Sequence, residues 1–177
     1  TLDQAEARVR ELEGLWSVTD GTSEISTLNH DGSAELSPET AELLGAALDM
    51  CRRTDGALDI STYPVLRAWG FTTGEYSVPG GEAIAALLPL VDYGRVALEA
   101  GAAALPPGME IDLGSVAKGY TGDALAALLK QGGAASALLD LGGNIQAVGS
   151  KPDGSPWRVA IRDPAGDGNI GVVEVVD

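Results

Sequence analysis

The sequence predicts an α+β fold with a largely antiparallel sheet and flanking helices. Helix-period apolar patterns come early in the 177-residue chain, and strand-like runs cluster late. The late runs are separated by short Gly, Asn and Pro breaks, not by the regular strand–helix alternation of a doubly wound fold. At 45% hydrophobic residues, the chain is long enough for one good-sized domain with its own core.

The elements follow in order. Thr1-Leu2-Asp3-Gln4 reads as a capping box with Thr1 as N-cap. Leu2, Ala5, Val9, Leu12 and Trp16 then form one apolar helix face. "VTDGTSEISTLNHDGS" reads as a turn-rich polar loop. Ser37-Pro38-Glu39 opens a second helix with a cap, a proline at the first position and an acid near the positive end. Its buried face is Leu43, Leu44, Ala47, Leu48 and Cys51, its last turn carries Arg52 and Arg53, and Gly56 ends it. "YPVLRAWGF" reads as a helical turn carrying Trp69, and Pro79 to Leu90 as a third helix. "RVALEAGAAAL" reads as a hairpin turning at Ala100-Gly101. "MEIDLGSVAKGYTGDALAALL" gives a strand, a loop and a fourth helix that ends at Gly132-Gly133. "SALLDLGGNIQAVG", "PWRVAIRD" and "GVVEVVD" supply the late strands. The last of these, apolar and at the end of the sequence, is expected to belong to a larger sheet.

The formal net charge of −15, with eleven basic residues scattered along the chain, argues against nucleic acid as a partner. Acidity of this kind serves solubility. Cys51 reads as a small buried hydrophobe, and a lone cysteine allows no intrachain disulfide. His30, the single histidine, excludes a histidine metal cluster within the chain. No run of residues has the length and apolarity of a transmembrane helix.

Three stretches have residue types suited to chemistry, each with a plain structural reading beside it. In Asp112-Leu113-Gly114-Ser115-Val116-Ala117-Lys118-Gly119-Tyr120, a helix N-terminus can hold phosphate on free N–H groups, with Lys118 as a point charge. Asp112 would repel phosphate and suits a ligand hydroxyl or amine, while an oxygen at this turn could serve Mg2+. The plain reading is a capped helix with Asp112 or Ser115 as cap. Neither the Rossmann nor the Walker order of glycines is present. Gly56-Ala57-Leu58-Asp59-Ile60-Ser61 is either a helix C-cap and turn or a tight loop against a planar ring, with Asp59 accepting a hydrogen bond. Asp140-Leu141-Gly142-Gly143-Asn144 is either an ordinary turn between strands or a backbone platform for a ligand. Trp69 and Trp157 read as core anchors, and Trp16 closes a helix face.

The order of the stretches is more specific than any one of them. "SEISTLN", "GALDISTYPVLRAWGF", "IDLGSVAKGYTGDALAALL", "LLDLGGNIQAVG" and "WRVAIRDP" together resemble the FAD:protein FMN transferase family, the ApbE-like flavin transferases, from about residue 12 onward. The resemblance implies an ApbE-like, T-fold-like α+β domain over residues 1–177 with FAD in a cleft and Mg2+ at its pyrophosphate. It implies transfer of FMN from FAD to a threonine of a target flavoprotein, with release of AMP. Hydrolysis of FAD to FMN and AMP, or FAD binding without catalysis, are the alternatives on the same scaffold. By position it places Ala57, Leu58, Asp59, Asp112 and Lys118 at FAD, and Ser115 as an oxygen ligand, main-chain by preference, to the metal. Thr19 falls where relatives often carry a tyrosine beside the flavin, a departure that weakens stacking there.

Some of the family pattern is absent. A strand with a glycine and a methionine would precede Thr1. An "ATSG"-like stretch and a His-Asp-Pro segment, with further metal ligands and the histidine proposed as base, would follow Asp177. His30 does not match that histidine, so no catalytic residue is assigned. The expectation is an incomplete domain that is inactive by itself. Family members often work outside the cytoplasm on membrane electron-transfer proteins, so membrane association through a preceding segment is part of the same expectation.

Overall fold

The computed structural model describes residues 2–176, so the Thr1 cap lies outside the described residues. The described chain forms two compact units. One is Arg10–Ala117; the other is made of the residues up to Val9 together with Lys118 onward.

Two helices cross the division: α1 (Leu2–Trp16) and α6 (Gly114–Gln131). Of the expected α1 face, Ala5, Leu12 and Trp16 are buried, whereas Leu2 is 81% exposed. Trp16 does more than fill space, because its indole N–H donates to the Thr40 hydroxyl at 3.1 Å and satisfies two buried polar groups at once.

Within Arg10–Ala117, the segment expected as a loop contains α2 (Glu24–Asp31) and β1 (Ser33–Glu35). Ser23 caps α2 by accepting from the Ser26 N–H at 2.9 Å, and Gly32, at φ 75°, closes it in the left-handed conformation. Helix α3 (Pro38–Arg53) is built as expected: Ser37 caps it, Pro38 opens it, and Leu43, Leu44, Ala47, Leu48 and Cys51 are buried. Its end is closed by the Gly56 N–H, which donates to Cys51 O at 2.9 Å with Gly56 at φ 77°. Helices α4 (Tyr63–Ala68) and α5 (Gly81–Leu87) occupy the expected positions. Strands β2 (Ala97–Glu99) and β3 (Ala102–Ala104) form the expected hairpin, with positive φ at both Ala100 and Gly101 as a tight turn of this hand requires. β1 pairs antiparallel with the other side of β3, giving the order β1-β3-β2.

The other unit carries two antiparallel hairpins, β4 (Ala137–Leu141) with β5 (Asn144–Val148) and β6 (Trp157–Arg162) with β7 (Asn169–Val175). Helix α6 ends as expected, with the Ala134 N–H donating to Leu129 O and Gly133 at φ 84°. Trp157 is half-buried and donates to Gly149 O at 3.0 Å; Trp69 is also only half-buried. The fold is thus α+β and antiparallel, but its strands form three small sheets among the described residues in place of one continuous sheet.

One expected strand is absent. Residues 109–113 belong to no strand or helix. Their backbone groups are satisfied otherwise: Ile111 by the Asn29 side chain, and Asp112 N–H by Ile60 O at 2.9 Å.

Candidate functional site

The site is assembled from three pieces of Arg10–Ala117. The first is the exit from α3. Once Gly56 has turned the chain, Asp59 caps the short 3-10 turn Ile60–Thr62. Its Oδ1 accepts from the Ser61 N–H at 2.8 Å and the Ser61 hydroxyl at 2.6 Å, and its Oδ2 accepts from the Tyr93 N–H at 3.2 Å. Fully buried Ser61 accepts in turn from the Asp92 N–H at 2.8 Å. Asp59 therefore ties residues 59–61 to residues 92–93, and its carboxylate keeps lone pairs beyond those used.

The second piece is α4, which contributes Leu66. The third is the start of α6. Asp112 Oδ1 accepts from the Gly114 N–H at 2.8 Å, so the acid satisfies one of the free donors at the helix start. Pieces one and three are joined directly by the bond from Asp112 N–H to Ile60 O.

Ala57, Leu58, Asp59, Thr62, Leu66, Asp112 and Ser115 line one depression of about 260 Å3. The structure thus brings together five of the seven residues singled out from the sequence. Thr19 is exposed, hydrogen-bonds with the Ser17 hydroxyl at 3.1 Å, and lines a different depression of about 420 Å3 with Arg10, Glu13, Gly14, Ser17 and Asp20. Lys118 is exposed on α6 one turn beyond Ser115 and belongs to the other unit. Thr62 and Leu66 are additions. Their four-residue spacing across the start of α4 puts them on one helix face, a signal present in "TYPVL".

The depression has a definite chemical character. Two of its lining residues are carboxylates and none is basic. Such a surface hydrogen-bonds hydroxyls, amines and ring N–H groups, and repels phosphate unless a cation intervenes. Its volume is also at the small end, since pockets for drug-sized ligands run from about 300 to 1,000 Å3. It suits part of a dinucleotide. Among the described residues, no three of His, Cys, Asp and Glu converge as a metal site. Mg2+ commonly takes one or two carboxylates and fills its other positions with phosphate oxygens and water, and Asp112 and Ser115 offer oxygens of that hard kind.

Comparison with known proteins bears on the same residues. The chain is 30% identical over 188 residues to the FAD:protein FMN transferase of Haemophilus influenzae, covering 99% of this chain and 54% of that protein. It is 32% identical over 173 residues to that of Salmonella typhimurium, covering 92% and 49%. The chain thus spans about half the length of the curated relatives it matches. Among solved structures, the ApbE protein of Thermotoga maritima superposes with a TM-score of 0.92 at 28% identity, over 99% of this chain and 59% of that one. The apo flavinyl transferase ApbE of Pseudomonas stutzeri gives 0.86 at 29% identity, over 98% and 57%. With the ApbE family model matching residues 1–177, the chain belongs to the ApbE family.

Proposed function

We propose that the protein containing this chain transfers FMN from FAD to a threonine hydroxyl of a target flavoprotein, and that the chain is one portion of a single ApbE-like domain. The observation that carries the reading is the depression uniting Ala57, Leu58, Asp59, Asp112 and Ser115, in a chain related to FAD:protein FMN transferases. Ala57 and Leu58 offer backbone and apolar contact to part of the FAD. Asp59 and Asp112 accept hydrogen bonds from its hydroxyl or N–H groups. Lys118 adds positive charge for the pyrophosphate, and Thr19 is a peripheral flavin contact. In the transfer, the threonine oxygen attacks the FMN phosphorus, the bond to the AMP oxygen breaks, AMP leaves, and the threonine proton goes to a base. Such a reaction depends on positioning and charge neutralisation more than on covalent help. Mg2+, when bound, draws off charge from the pyrophosphate; Ser115 would hold it from this chain's side.

The test uses the full-length protein with FAD, Mg2+ and a threonine-containing acceptor, reading FMN fluorescence on the acceptor and AMP release. Acceptor labelling with stoichiometric AMP is expected. AMP release that is indifferent to acceptor would replace transfer with FAD hydrolysis, and FAD binding without AMP would leave a binding module. Asp112→Ala and Lys118→Ala are each expected to weaken FAD binding by about fivefold or more. Unchanged affinity in both would reduce Asp112 to a helix cap. Residues 1–177 alone are expected to give no turnover, and robust turnover by them would sink the idea of a divided site.

A further inference from the structure

We infer that Asn29, which lies outside the depression, is a positioning residue for Asp112. The inference rests on the function proposed above for its consequence, but not for its geometry. Asn29 stands near the end of α2. Its Nδ2 donates to Ile111 O at 2.8 Å and its Oδ1 accepts from the Ile111 N–H at 2.7 Å. The side-chain amide thus does for Ile111 what the peptide group of a neighbouring strand would do, across 82 residues of sequence. Ile111 is fully buried, so its main-chain groups need protein partners.

Residues 109–113 have no partner strand. Met109, Ile111 and Leu113 anchor them by burial and Glu110 pairs with Arg67 at 2.9 Å, while the main chain at Ile111 and Asp112 is held by hydrogen bonds from outside the segment. On one side Asn29 holds Ile111. One residue on, the Asp112 N–H donates to Ile60 O, between Asp59 and the rest of its turn. Asp112 then holds the Gly114 N–H. Asn29, Ile111, Asp112 and Ile60 form a continuous chain of bonds from α2 to the acidic wall of the depression. Only an amide of this length has the donor and the acceptor that Ile111 requires. In Asn29→Asp the size is kept, but a carboxylate oxygen faces Ile111 O, and two acceptors repel. In Asn29→Ala both buried groups of Ile111 lose their partner.

The experiment compares full-length wild type, Asn29→Asp, Asn29→Ala and a control, Thr27→Val. Thr27 is on the same helix, and its hydroxyl donates to the main-chain oxygen of the cap residue Ser23 at 2.8 Å. Two quantities are read: amide hydrogen exchange at Ile111 and Asp112 without ligand, and the FAD dissociation constant with Mg2+ present. Both Asn29 variants are expected to exchange about tenfold faster at these two amides and to bind FAD about tenfold more weakly, while Thr27→Val changes neither. If Asp112 exchange stays at the wild-type rate in both Asn29 variants, the positioning role is overturned. It is likewise overturned if Thr27→Val, at a matched loss of Tm, weakens FAD equally. If wild type itself fails to bind FAD, the proposed function falls, and the exchange data still decide whether the Asn29 clamp holds Asp112.

Discussion

Asp59 illustrates how a residue can be both a scaffold and a site. Three donors from Ser61 and Tyr93 hold its carboxylate in place, and it still lines the depression. A group fixed by its neighbours does not have to be ordered again when ligand arrives. In Asp59→Asn, an NH2 group would stand where Oδ2 now accepts from Tyr93, placing two donors face to face. The expected cost is about 1–2 kcal/mol in urea unfolding, together with weaker FAD binding. A loss of binding with unchanged stability would assign Asp59 to the ligand alone. Cys51 is the contrasting case. It is 0% exposed, and burial pushes its thiol above the usual 9.0. Because the folded value is raised, the associated stability is complete below pH 9.0 and is lost as pH rises through the folded value. Iodoacetamide at pH 8 should leave Cys51 unmodified in the native protein and alkylate it in guanidinium; rapid native alkylation would contradict the burial.

At the level of elements, structure is legible in the sequence where caps and periodicity agree, as in α3. Ser37 accepts from the Thr40 N–H, and its own N–H and hydroxyl donate to the Glu24 carboxylate. Ser37→Ala should therefore lower stability by about 1 kcal/mol, measurable as a shift in the denaturant midpoint at constant m-value. Helix α2 escaped for a physical reason. At eight residues it has room for only one short stripe, Ile25, Leu28 and Asn29, and the last of these is polar. Yet that polar, half-buried residue beside Leu28 is the available clue, since it replaces a strand partner for Ile111. Residues 109–113 have a strand-like pattern, and only the presence of α2 beside them supplies a partner other than a strand. After α4, the turn is fixed by Gly70, at φ 78°, where an added Cβ would lie 2.1 Å from the main-chain oxygen of Glu75. Main chain cannot swing aside as a side-chain tip can. Gly70→Ala should cost about 2 kcal/mol or more, combining the left-handed penalty with displacement of the turn. A thermal midpoint equal to wild type would mean that the turn is not held as described.

At the scale of the whole molecule, the candidate site was legible through the order of several stretches, each ambiguous alone. Glycine, acid and serine near helix ends are common capping chemistry, and Asp59 and Asp112 do cap turns here. Only folding reveals that the two caps share a wall. The sheet was less legible, because period-two patterns identify strands but not which ladders join them. The β6–β7 pairing sets Trp157, Val159, Ile161, Val173 and Val175 on one apolar face. Ile161 and Val173 on that face are 45% and 46% exposed. A two-stranded ladder with so much apolar surface in water has little to hold it closed. By contrast, α3 turns Leu44, Ala47 and Cys51 entirely away from solvent. Opening should therefore begin in β6–β7. In native-state hydrogen exchange on residues 1–177, the amides of Trp157–Arg162 and Asn169–Val175 should exchange at least about tenfold faster than those in the middle of α3. Equal protection of the two would mean that the hairpin opens only with the core, and that its apolar face is covered in solution. A second measurement separates these outcomes: Ile161→Thr and Val173→Thr should change stability by no more than about 0.5 kcal/mol if the face is solvated, and by well over 1 kcal/mol if it is packed.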